Sequence, residues 1–211
     1  MRILLALGGT ALLRPGERAS TPNQPRNIET AAKAIAELSD HHELIVTHGN
    51  GPQVGHALEV ALRNALPDRD VVSVLTQVVV AGDDPAFEPR AIAEIRSIRA
   101  LVTAGALVIC AGGSTTPVAM DGLGTLYGVE ATVDEGLTAA LLARRLDADL
   151  LLMLTDADFL QAAPKVEAGR RFAEATGRRA AISTLGNAAR AVRSEAGTQI
   201  SAATAVGPAH P

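Results

Sequence analysis

The stretch Thr47-His48-Gly49-Asn50-Gly51-Pro52-Gln53-Val54-Gly55 constrains this chain more than any other. It follows Leu44-Ile45-Val46, an apolar run of the length of one buried strand, and opens onto Val54, Leu58, Ala61 and Leu62, which recur at helical spacing. The glycines therefore sit at a strand-to-helix turn. There Gly49 and Gly51 can take backbone angles closed to other residues and let main-chain N–H groups meet a small anion. Strand, glycine turn and helix in that order form the repeating unit of an α/β fold with parallel strands.

The same unit recurs along the chain. Ile3 to Leu7 reads as a first strand ending in Gly8-Gly9-Thr10. A helix then carries Ile28, Ala31, Ala32, Ile35 and Leu38 on one face, with Asn27 as its cap. After the helix from Val54 to Leu66 comes a β-prone run from Val71 to Val80. The spacing predicts a helix over 91–103 and a strand over 106–111 that enters Gly112-Gly113. A helix follows over 134–146, capped by Asp134, and a strand from Leu150 to Leu154 ends in Thr155-Asp156-Ala157-Asp158. Pro164-Lys165-Val166-Glu167 begins a further helix through Thr176. Arg179 to Ile182 is a short strand, Asn187 to Arg193 is helical, and Thr198 to Ile200 is an edge strand. In open parallel sheets, ligands bind outside the carboxyl ends of the strands, so three glycine-bearing ends can converge on one crevice. Residues 1–200 are expected to form one compact domain, with 201–211, small and polar, as a flexible tail.

Composition narrows the partners. Lys and Arg number 19 against 23 Asp and Glu, giving a formal charge of -4 without a basic cluster, and the only aromatics are three Phe and one Tyr. Nucleic acid would find neither a positive surface nor stacking platforms, whereas a small anion needs only a local positive site. The single cysteine, Cys110, excludes an internal disulfide and a multi-cysteine metal cluster, and fits a reducing cytoplasm. Within Val108-Ile109-Cys110-Ala111 it reads as a small buried hydrophobe. The apolar start, Met1 to Leu7, is too short for a signal or membrane segment, and no membrane association is expected.

Ala6-Leu7-Gly8-Gly9, Thr47 through Gly55, Leu75-Thr76-Gln77-Val78, Val108 through Gly113, Leu154-Thr155-Asp156 and Pro164-Lys165-Val166-Glu167, in this order, resemble the carbamate kinases of the amino acid kinase superfamily. The resemblance covers most of the chain. It implies a three-layer α/β/α core with a mostly parallel central sheet, a homodimer, and reversible phosphoryl transfer between ATP and carbamate with Mg2+. It further implies that Gly8, Gly9, Thr10, Gly49, Asn50, Gly51, Gly112 and Gly113 line the substrate end of the crevice. Lys165 becomes the catalytic cation, and Asp156 and Asp158 organise the nucleotide side. A flexible ammonium at that point would neutralise charge on transferred phosphate. The two aspartates, two residues apart, could hold Mg2+ indirectly, orient Lys165, or cap the next segment. No direct protein metal ligand is assigned, and His48 reads as a structural residue tying the loop to neighbouring backbone.

The departures from that family are specific. Thr10 stands where the family usually has Asn, and Asp134-Glu135-Gly136 where it usually has Asp-Lys-Asp, so one positive charge becomes negative. Only Asn64 to Asp70 separate the second helix from Val71, where the family's covering subdomain is expected, and the segment after Asp158 is also short. Three functions follow. The first is phosphoryl transfer using ATP or ADP. The second is a noncatalytic subunit, a pseudoenzyme binding carbamate or carbamoyl phosphate. The third is a carbamoyl-group enzyme completed by a protein partner.

Overall fold

The computed structural model describes residues 1–12, 24–81, 88–111, 115–155 and 163–202. The chain runs β1 (Arg2–Leu7), a 3-10 turn (Gly9–Leu12), α1 (Gln24–Ser39), β2 (Glu43–His48), α2 (Pro52–Ala65), β3 (Val71–Ser73), β4 (Gln77–Val80) and β5 (Pro89–Ile92). It continues through α3 (Ile95–Thr103), β6 (Leu107–Ile109), β7 (Thr116–Met120), β8 (Leu126–Gly128), α4 (Glu135–Arg145), β9 (Leu150–Leu154) and α5 (Ala163–Thr176). It ends with β10 (Arg179–Ser183), a short 3-10 turn, α6 (Ala188–Val192) and β11 (Thr198–Ile200).

Among the described residues, seven strands form the main sheet in the order β11-β10-β9-β1-β2-β6-β3. All neighbours in it are parallel except β10 and β11. Alternation along the buried strands assigns the two faces. Ile3, Leu5 and Leu7 of β1 and Leu150, Leu152 and Leu154 of β9 pack with Ile28 and Ile35 of α1, Leu58 and Leu62 of α2, and Ala191 of α6. Leu4, Leu151 and Met153 face the other way, toward Ile98 of α3, Leu142 of α4 and Phe172 of α5. The result is the expected three-layer α/β/α sandwich.

The structure departs from the periodicity in four places. Asn27 is not a cap, because α1 starts at Gln24, with Pro25 in its first turn, where a fixed φ and a missing N–H cost nothing. The run 71–80 is two strands in different sheets, β3 and β4. Thr76 breaks it: its hydroxyl donates to Val74 O at 2.9 Å and accepts from Ala111 N at 3.0 Å. Residues 89–92 form β5, with Ile92 buried against the other strands, so the predicted helix over 91–103 begins only at Ile95. The β7–β8 hairpin is new, turned by Asp121, whose Oδ1 accepts from Leu123 N and Thr125 N. With β4 and β5 it makes a four-stranded sheet of order β5-β4-β7-β8. Of the expected tail, residues 203–211 lie outside the described residues.

Among the described residues, Phe172 is the largest fully buried side chain, and it closes the face shared by α4, α5 and the sheet. Phe172→Ala is expected to cost roughly 3 to 5 kcal/mol in urea unfolding, with an unchanged slope if the sandwich otherwise holds.

Candidate functional site

Register brings three strand ends together. Leu7 pairs with His48 on one side and Leu154 on the other, so β9, β1 and β2 stop at the same height. Their turns are stitched to one another: Gly8 N–H donates to Leu154 O at 2.9 Å, Gly49 N–H to Leu7 O at 2.8 Å, and Asn50 Nδ2 to Gly9 O at 3.3 Å. Both of these glycine N–H groups are therefore engaged by the sheet. What Gly8 and Gly49 provide is space for two charged side chains that come in from the helices.

Lys165, in the first turn of α5, lies against Gly8: a Cβ there would stand 3.2 Å from Lys165 Cε and 3.3 Å from Nζ. Glu135, the first residue of α4, turns its carboxylate over Gly49, where a Cβ would lie 2.2 Å from Oε2 and 2.9 Å from Oε1. The start of α4 is fixed by Asp134, whose Oδ1 accepts from Leu137 N at 2.7 Å. Gly136 lets it seat closely on α5, since a Cβ there would be 3.2 Å from that of Ala168. Lys165 and Glu135 thus line one crevice with Gly8, Gly49, Ala111 and Met153, about 30 Å³ in volume. That volume is the inner end of a crevice that opens to solvent.

Burial raises the Glu135 carboxyl above the usual glutamate range; Lys165 pulls it down and Asp134 pushes it further up. Among the described residues, Lys165 makes no ion pair and Glu135 no hydrogen bond. His48 is buried, with its imidazole against Gly55, where a Cβ would lie 2.6 Å from Nε2. Burial lowers its pKa, partly opposed by an Asn50 backbone group, so a neutral packing role suits it better than proton transfer. Cys110 is buried and its thiol pKa is driven far up by desolvation, the inert hydrophobe expected.

Of the expected site residues, Gly8, Gly9, Gly49, Asn50 and Lys165 meet here. Gly51 is the N-cap residue of α2, and Thr10 sits in the 3-10 turn, its side chain outside the described part. Gly112, Gly113, Asp156 and Asp158 lie outside the described residues. Ala111 and Thr155, which precede them, lie at the ends of β6 and β9, and Ala111 lines the crevice. Among the described residues, no group of three or more His, Cys, Asp or Glu is placed to hold a metal ion, and no helix is long and apolar enough to cross a membrane.

Sequence reasoning missed a second cleft of about 280 Å³ beyond His48 and Ala111, lined among others by His56, Glu59, Ser73 and Thr76. Burial pushes Glu59 up, but Ser73 and Arg63 outweigh it and hold the carboxyl below its ordinary range. The available signal was the spacing of His56 and Glu59, three apart on one helix.

Residues 1–84 match the amino acid kinase family. The chain is 33% identical to the carbamate kinase of Rhizobium meliloti (strain 1021), over 95% of this chain and 93% of that protein. The chain belongs to the carbamate kinase family. Similarity to the carbamate kinase of Haemophilus influenzae is 30% identity, covering 97% of this chain and 98% of the relative. The alignment with the Rhizobium carbamate kinase spans 302 positions against 211 residues here, so that relative carries residues with no counterpart in this chain. The solved carbamate kinase of Giardia lamblia bound to AMP-PNP superposes with a TM-score of 0.85 at 25% identity, covering 94% of this chain and 97% of that one.

A raised carboxyl pKa carries a definite sign. Between the ordinary glutamate pKa and the higher value in the fold, the native state binds the Glu135 proton more tightly than the unfolded chain does, so this group lowers stability as pH rises through that interval. Glu135→Gln removes the effect. The variant's thermal midpoint should therefore gain on the wild type as pH rises through and above the ordinary glutamate range. A constant difference across that range would show that the carboxylate is not desolvated.

Proposed function

We propose that the protein carries out carbamate-kinase-type phosphoryl transfer between ATP and carbamate, slowed by the carboxylate of Glu135. The observation that carries this reading is the Lys165 ammonium set against Gly8, where the β1 and β9 ends meet, in a chain of this family. An ammonium so placed neutralises charge that develops on the transferred phosphoryl oxygens. Gly8 and Gly49, lacking side chains of their own, leave room at the strand ends for Lys165 and Glu135. ATP with its Mg2+ supplies the phosphoryl group, and Asp156 and Asp158 are assigned to that side of the site. In the direction of ATP synthesis, an ADP oxygen bonds to phosphorus as the bond to the carbamate oxygen breaks.

Glu135 works against this chemistry by putting negative charge where anionic oxygens must come. That observation favours a second reading, in which the crevice binds carbamoyl phosphate without transferring phosphate. A coupled assay for ATP formation from ADP and carbamoyl phosphate, with calorimetry on the same preparation, separates the two. Slow turnover is expected, reduced at least about a hundredfold by Lys165→Ala. Binding without ATP formation would select the second reading, and binding indifferent to Lys165→Ala would overturn both.

Restoring a cation alone, as Glu135→Lys, is expected to raise turnover about tenfold or more. An added Asp at 136 is not expected to help, because its Cβ would crowd Ala168 and stand 3.2 Å from Asp134 Oδ1.

A further inference from the structure

A site built for anions presents hydrogen-bond donors, and this crevice sets an acceptor, the Glu135 carboxylate, beside its Lys165 ammonium. The N–H groups of Gly8 and Gly49 are taken by Leu154 and Leu7. Asn50 uses its amide nitrogen on Gly9 O and does not line the crevice. Above the same turn lies the Glu135 carboxylate, without a hydrogen bond among the described residues, while the Lys165 ammonium flanks Gly8 on the other side. One wall thus carries an acceptor and the other a cation. A carboxylate or a fully ionised acyl phosphate satisfies only the second wall; a ligand with N–H groups beside its anionic oxygens satisfies both.

We propose that Glu135 is a specificity-determining residue that accepts a hydrogen bond from the amino group of a carbamoyl ligand while Lys165 holds its anionic end, so that the crevice selects carbamoyl over acyl anions. This rests on the assignment of the Gly8, Gly49 and Lys165 crevice as the ligand site. The negative charge that slows phosphoryl transfer becomes the means of discrimination. Every phosphorylated ligand meets its repulsion, and only one bearing N–H recovers a charge-assisted hydrogen bond. Replacing NH2 by CH3 sets a methyl against the carboxylate and removes its hydrogen bond, the situation in which polar sites discriminate most strongly.

Carbamoyl phosphate and acetyl phosphate differ by that replacement, and calorimetric titration of each, with inorganic phosphate as a third probe, tests the proposal. Wild type is expected to prefer carbamoyl phosphate by about tenfold or more. Glu135→Leu should bring the ratio close to one, and Glu135→Gln, which keeps an acceptor but loses the charge, should fall between. Equal wild-type affinities, with phosphate binding still lost in Lys165→Ala, would overturn the role of Glu135 and leave the site assignment standing. Failure of all three probes to bind would overturn both. Should the leucine variant not fold, the wild-type ratio and the glutamine variant decide the question.

Discussion

Everything at the site depends on the parallel register of β9, β1 and β2. Because Leu154, Leu7 and His48 are paired across the sheet, three chains leave the core at one height, and their turns must occupy the same small volume. They do so by bonding to one another, through Gly8 to Leu154 and Gly49 to Leu7. Those bonds remove donors that an anion would otherwise use. The register that creates the crevice therefore also sets its polarity, and the charges that α4 and α5 bring in, Glu135 and Lys165, decide what it can hold.

The alternation of the strands is what makes this register rigid. Ile3, Leu5 and Leu7 meet α1 and α2, and Leu4 meets the α4 and α5 side, so a one-residue slip would turn every side chain of β1 to the wrong layer. Lys165 and Glu135 are held less directly, through the helix starts. Asp134 caps α4, and Gly136 admits the close seat against α5.

The layers were legible because β1, β2 and β9 are short continuous apolar runs flanked by helices with clean apolar faces. Lys165, Asn50 and the glycine turns could likewise be located, since strand ends and helix starts are marked by residue type. The four-stranded sheet was not legible. Val71 to Val80 is apolar on both sides of its break, and the break comes from a tertiary bond, Thr76 to Ala111, between residues 35 apart. Residues 89–92 carry no strand alternation of their own and become β5 only by pairing with β4. Reading Glu135 as a charge reversal was open from the sequence. That its carboxylate lies over Gly49 was not, because the contact depends on how α4 seats on α5.

The seat at Gly136 has a consequence for which charges are free to change. With Ala168 and Asp134 Oδ1 each 3.2 Å from where its Cβ would be, a side chain at 136 needs one of these neighbours to give by a few tenths of an ångström. A change at 135 alone leaves this contact in place, because the Glu135 side chain lies over Gly49. The contact between the two helices thus ties position 136 to its surroundings more tightly than position 135, although the two are adjacent in the chain.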